Sequence, residues 1–168
     1  ERVGDDEAPL PKKAIIKPPP LLVAAGLAGP DEHWEVLMAL YGYKESPKLW
    51  ADYRDTELTH LKAEINEDTW LTLDQMITEP NMWRVIKHQV SGSSTVEQFC
   101  GILLVYVDDL LLLGEDSIMQ YVIKAIQTKW GTSIPEVIDE TSGVRFLGTE
   151  IYRQGRKWWM TQRNYIHD

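Results

Sequence analysis

Read as a pattern of hydrophobic and polar positions, the chain has one dominant apolar run, from Ile102 to Leu113, interrupted at Asp108 and Asp109. No polar stripe recurs in it at helical spacing, and Gly101 and Gly114 bound it. The pattern predicts two short buried strands joined by a tight turn at the acid pair. Upstream, Leu49, Trp50, Tyr53, Leu58, Leu61 and Ile65 recur at roughly helical spacing behind Ser46-Pro47, a capping residue followed by a proline suited to the first helical position. An amphipathic helix is therefore expected from Pro47 to about Glu64. Downstream, Ile118, Tyr121, Val122, Ala125, Ile126 and Trp130 share one helical face, with Asp116 or Ser117 as cap and Gly131 as stop.

The weaker segments complete the order. Residues 1–13 are polar and aperiodic, a loose tail. Ala14 to Lys17 reads as a short strand stopped by Pro18-Pro19-Pro20, and Leu21 to Ala28 as a helical turn or two. Trp34 to Leu40, Thr69 to Leu73 and Met82 to Gln89 are expected strands, with Val90 to Thr95 a hairpin loop. Gly143 to Arg153 reads as one strand, turning at Gln154-Gly155 into Lys157 to Met160, and Gln162 to Asp168 as the first turn of a helix. The expected class is α+β, an antiparallel sheet with helices packed on one face.

At 168 residues, 43% hydrophobic and 26% charged, the chain suits one domain with its own core. A net charge of −9 argues against strong autonomous nucleic-acid binding, because phosphate contacts need Lys and Arg. The single cysteine, Cys100, excludes an internal disulfide, and His33, His60, His88 and His167 lack ligand spacing. No signal peptide is evident and the apolar run is too short to span a bilayer, so an intracellular chain, cytoplasmic or nuclear and not membrane-bound, is expected. Two carboxylates beside buried strands call for a cation, and a hard divalent ion with oxygen ligands such as Mg²⁺ is the simplest. The same pattern also fits an exposed hairpin with a solvated acidic tip, and the bare acid pair leaves both open.

Three blocks in order carry more. Ala39-Leu-Tyr-Gly-Tyr-Lys-Glu-Ser-Pro-Lys-Leu-Trp50 resembles a block usually written Ala-Leu-Tyr-Gly-Leu-Lys-Gln-Ser-Pro-Arg-Leu-Trp in copia-type retrotransposon reverse transcriptases. Leu104-Val-Tyr-Val-Asp-Asp-Leu-Leu-Leu112 resembles their catalytic hairpin, and Phe146-Leu-Gly-Thr-Glu-Ile151 the Phe-Leu-Gly block that follows. The resemblance covers roughly residues 8 to 168 and implies a polymerase palm over residues 14–168, without complete fingers or thumb. It implies RNA-directed DNA polymerisation with two Mg²⁺ ions, or Mn²⁺, about 4 Å apart. By the same resemblance Asp108 and Asp109 are the catalytic and metal-binding pair. Tyr106, Val107, Tyr41, Gly42 and Lys44 would lie against nucleotide or template, and Phe146, Leu147 and Gly148 would hold the primer end. Implied partners are an RNA or DNA template-primer, deoxynucleoside triphosphates and the rest of the polyprotein.

The chain also departs from that family. Its third metal-binding Asp belongs to an upstream strand, which by count falls just before Glu1; Asp5 and Asp6 lie in the polar tail and are not assigned the role. Glu45 and Tyr43 replace the usual amide and leucine. With two of three metal ligands, the chain alone is expected to be inactive. The alternative is a relic or co-opted palm fragment that does no chemistry and at most binds a partner.

Overall fold

The computed structural model describes residues 15–37, 42 and 44–162. The chain falls into two compact units, residues 1–50 and 51–168, with the boundary inside a helix. The first contains strand β1 (Ile15–Ile16) paired antiparallel with β2 (Trp34–Glu35). Between them lies α1 (Pro20–Ala24), started by the proline run that was expected to stop regular structure. Residues beyond 37 in the expected strand Trp34 to Leu40 fall outside the described residues, as does the expected terminal turn after Gln162.

The second unit is built on a five-stranded antiparallel sheet in chain order: β3 (Lys62–Asn66), β4 (Thr69–Gln75), β5 (Met82–Ser91), β6 (Ser94–Tyr106) and β7 (Asp109–Gly114). Helix α2 (Ser46–Thr59) and helix α3 (Asp116–Lys129) supply the cover on one face. Leu58 of α2 and Met119, Val122 and Ile126 of α3 join Ala63, Leu71, Leu73, Trp83, Val85, Leu103 and Val105 in one buried cluster. An ion pair between Lys129 and Glu57 ties the two helices together. The class is α+β, with antiparallel sheets and few helices. No helix among the described residues is long and apolar enough to cross a membrane.

Several expectations are corrected. Helix α2 ends at Thr59 rather than near Glu64, and residues 62–66 form β3. Leu58, Leu61 and Ile65 are spaced like a helical stripe, yet burial in 62–66 alternates, with Ala63 buried between exposed Lys62 and Glu64. The turn decides the matter. The Asp68 N–H donates to Asn66 Oδ1 at 3.0 Å, closing a tight connection that lays β3 against β4. The expected loop Val90 to Thr95 is mostly strand, because β5 and β6 run on until only Gly92 and Ser93 turn between them. Cys100 is the extra residue where the β5–β6 register shifts, pairing Val85 with Gly101 but Ile86 with Phe99. In α3 the residue before the helix is Glu115, without a side-chain cap, and Met119 takes the buried place expected for Tyr121, which is exposed.

A second, three-stranded sheet has the order β10-β9-β8, from β8 (Val144–Phe146), β9 (Thr149–Gln154) and β10 (Lys157–Thr161). The single strand expected over Gly143 to Arg153 is thus two strands. Phe146 pairs with Thr149, and Leu147-Gly148 is a two-residue turn with φ values of 53° and 73°. Two successive left-handed residues are what a type I′ hairpin turn requires.

Candidate functional site

The acid pair sits at the tip of the β6–β7 hairpin. Tyr106 pairs directly with Asp109, leaving Val107 and Asp108 as a two-residue loop. Val107 has φ 53° while Asp108 stays at negative φ, the sign pattern of a type II′ turn, whose first position favours glycine. A β-branched residue in the left-handed region is a genuine outlier and stores strain. Nothing compensates locally by burial: Tyr106 is 53% and Val107 52% exposed. Both carboxylates are exposed as well.

The strands beneath the tip are anchored. Leu103 and Val105 of β6 are buried, and Leu110 and Leu112 of β7 pack against the same core. Because side chains alternate along a strand, Tyr106 and Asp109 stand on the opposite face from the helices. At the root, Gly101 pairs with Gly114, and the sulfur of Met119 from α3 lies against both. A side chain on either glycine would meet backbone or Met119, so these two positions set how closely the helix seats on the hairpin.

The turn end of the hairpin lies beside the β4–β5 connection. The Val105 N–H donates to Asn81 O at 2.9 Å, one step beyond the last paired residues of β5 and β6. That connection is held from α2. Arg54, only 5% exposed, bonds through Nε to Asp55 Oδ1 at 2.8 Å, and Gln75 Nε2 donates to Asp55 Oδ2 at 3.0 Å and to Pro80 O at 2.8 Å. Sequence reading missed this group because it placed the charged residues of α2 on the solvent side. One signal was present: Arg54 lies four residues before Leu58 and so shares its buried face.

The other candidates are placed elsewhere. Gly42 and Lys44 are exposed in the first unit, Gly42 with φ 84°, and Tyr41 lies outside the described residues. Phe146, Leu147 and Gly148 occupy the β8–β9 turn, where Leu147 is exposed and Phe146 half-buried. The structure thus gathers Tyr106, Val107, Asp108 and Asp109 in one turn and Phe146 to Gly148 in the turn of a different sheet.

Two exposed carboxylates fit a hard cation in kind, as oxygen donors open to solvent, but fill only part of its shell. Among the described residues, no group of three or more His, Cys, Asp or Glu side chains is arranged to hold a metal. Comparison with models of known families, with curated proteins and with solved structures returned no match.

Proposed function

We propose that residues 14–168 are a reverse transcriptase palm of the copia retrotransposon type, a partial RNA-directed DNA polymerase that is inactive alone. The observation that carries this reading is the Tyr106 to Asp109 turn. An acid pair stands at an open tip, over a sheet backed by two helices, on a β-branched residue held in the left-handed region. Strain of that kind persists only where surrounding structure imposes it, and it concentrates at functional turns.

In this reading Asp108 and Asp109 hold Mg²⁺, or Mn²⁺, together with a carboxylate from another segment. The bound ion supplies Lewis-acid stabilisation of the phosphoryl group and activation of the primer hydroxyl. Tyr106, on the same face as Asp109, offers its ring to template-primer or incoming nucleotide. Val107 sets the turn that aims the carboxylates outward, and Leu110 and Leu112 hold the hairpin to the core. Gly42 and Lys44, with Tyr41, would meet the nucleotide or template, and Phe146, Leu147 and Gly148 the primer end.

The second reading is a relic or co-opted palm fragment that does no chemistry and at most binds a partner. Titrating the chain with Mn²⁺ while recording backbone amide signals tests the metal site. Selective paramagnetic broadening at Tyr106 to Leu110, lost in Asp108→Asn, is expected. Uniform or absent broadening overturns the metal-site reading. Within a longer polyprotein segment, Asp108→Asn abolishes primer extension on an RNA template; the relic reading instead predicts no extension to abolish.

A further inference from the structure

We infer that the ion pair of α2 between buried Arg54 and half-buried Asp55 is a positioning group for the acidic hairpin tip, acting through Gln75 and the β4–β5 connection. The path is continuous. Arg54 holds Asp55 with its Nε at 2.8 Å and a terminal guanidinium nitrogen at 2.7 Å, both on Oδ1. That leaves Asp55 Oδ2 to accept a hydrogen bond from Gln75 Nε2 at 3.0 Å. The same nitrogen donates to Pro80 O at 2.8 Å, crossing the connection between β4 and β5. Asn81, the next residue, contributes its carbonyl to Val105 N–H at 2.9 Å and its side-chain oxygen to a longer contact of 3.5 Å with Arg54. Val105 immediately precedes Tyr106, so the chain of bonds ends at the root of the turn that carries Asp108 and Asp109.

Two physical points favour positioning over plain stability. An ion pair with one partner buried and the other partly open to solvent gains little net stability, because desolvation of the arginine and screening of the carboxylate offset the attraction, whereas its directional bonds fix one geometry. Here the pair is also placed where geometry is otherwise underdetermined. The β4–β5 connection, residues 76–81, is six residues long, while the other three turns of this sheet have two residues each. Its closure depends on Met76 N–H to Met82 O at 2.9 Å and Met82 N–H to Glu79 O at 2.9 Å, with Gln75 pinning the far side. Without that pin, Asn81 is held by the exposed connection and by its longer contact with Arg54, and the last rung to Val105 loosens.

The functional half of this inference rests on the metal-binding reading of the tip; the structural half does not, and the experiment separates them. Site-resolved amide exchange is measured on the whole chain for wild type, Gln75→Ala and Arg54→Lys, comparing Val105 with Leu103 in the middle of the same strand. In Gln75→Ala, Val105 exchange rises about tenfold relative to Leu103, the change that losing one hydrogen bond brings. A general loss of stability would speed both amides alike, and an unchanged ratio overturns the inference. Arg54→Lys keeps the charge but not the planar fork, and gives an intermediate ratio. The same proteins are then titrated with Mn²⁺. Weaker binding at Tyr106 to Leu110 in Gln75→Ala, with wild type broadened there, supports positioning of the acid pair. Equal binding in both overturns that part, and absence of broadening in wild type overturns the metal reading while leaving the exchange result standing.

Discussion

Replacing Gly101 by alanine places a new carbon 2.4 Å from the Leu113 carbonyl oxygen and 3.1 Å from Met119 Cε. The first contact decides the outcome. Leu113 O belongs to the β6–β7 ladder, where Ile102 pairs with Leu113 and Gly101 with Gly114, so it cannot retreat without disturbing neighbouring rungs. Overpacking of this kind costs about 1–3 kcal/mol. The more restricted unfolded chain of an alanine variant returns only about 0.4–1 kcal/mol. A net loss of about 1–2 kcal/mol follows, and with a urea slope of roughly 1–3 kcal/mol per molar the midpoint falls by about 1 M. Gly114→Ala makes the instructive comparison. Its nearest contacts, Cys100 O and the Met119 terminus, all stand at 2.9 Å, and the methionine can swing away, so its loss is smaller. Gly131→Ala is the control, since a carbon there meets nothing within 4 Å. Equilibrium urea unfolding by tryptophan fluorescence should rank stability as Gly131→Ala, then Gly114→Ala, then Gly101→Ala. A Gly101→Ala variant as stable as wild type, or less affected than Gly114→Ala, refutes the close approach of the Leu113 backbone to Gly101.

Two further outcomes follow from local geometry. Val107→Gly relieves the left-handed strain at an exposed position and should raise stability by about 0.5–1 kcal/mol, measured by thermal unfolding. A fall instead would mean that the valine side chain contributes more than its backbone costs. Asp139 accepts bonds from the Thr141 hydroxyl and from the Thr141 and Ser142 amides, which lower its pKa from 3.8 to about 2. Because the folded value is the depressed one, the turn's stabilisation is complete above 3.8 and is lost as pH falls through about 2. A side-chain carboxyl NMR titration with a midpoint near the ordinary aspartate value would contradict these hydrogen bonds.

The β6–β7 hairpin was legible because one apolar run dominated. The continuous apolar run and its flanking glycines mark the β6–β7 hairpin, and Ile118, Val122 and Ile126 recur as a helix requires, although the sequence points to Tyr121 where Met119 is buried. The stretch from Leu58 to Ile65 was not legible, because three- and four-residue spacings there mimic a helix; pairing with β4, a tertiary fact, overrides them. Leu147 gave no local sign of its left-handed backbone, although Gly148 beside it was a turn signal inside an expected strand. At the candidate site, the acid pair and its turn were legible. The support from α2 was not, since joining Asp55 to Gln75 spans twenty residues of sequence and depends on which face of the helix meets the sheet.

The order of strands in the main sheet bears on how the unit forms. Every strand pairs with its neighbour in sequence, so each rung closes over a short loop and the entropy cost of pairing stays low. Assembly can proceed hairpin by hairpin as the chain emerges. Helix α3 is the exception, because it touches β3 and β7, the first and last strands, and so meets its full surface only when both are in place. Its buried residues, Met119, Val122 and Ile126, are therefore the ones whose truncation should speed unfolding far more than it slows folding. On this order α3 is expected to seat last, closing over the hairpin at Gly101 and Gly114.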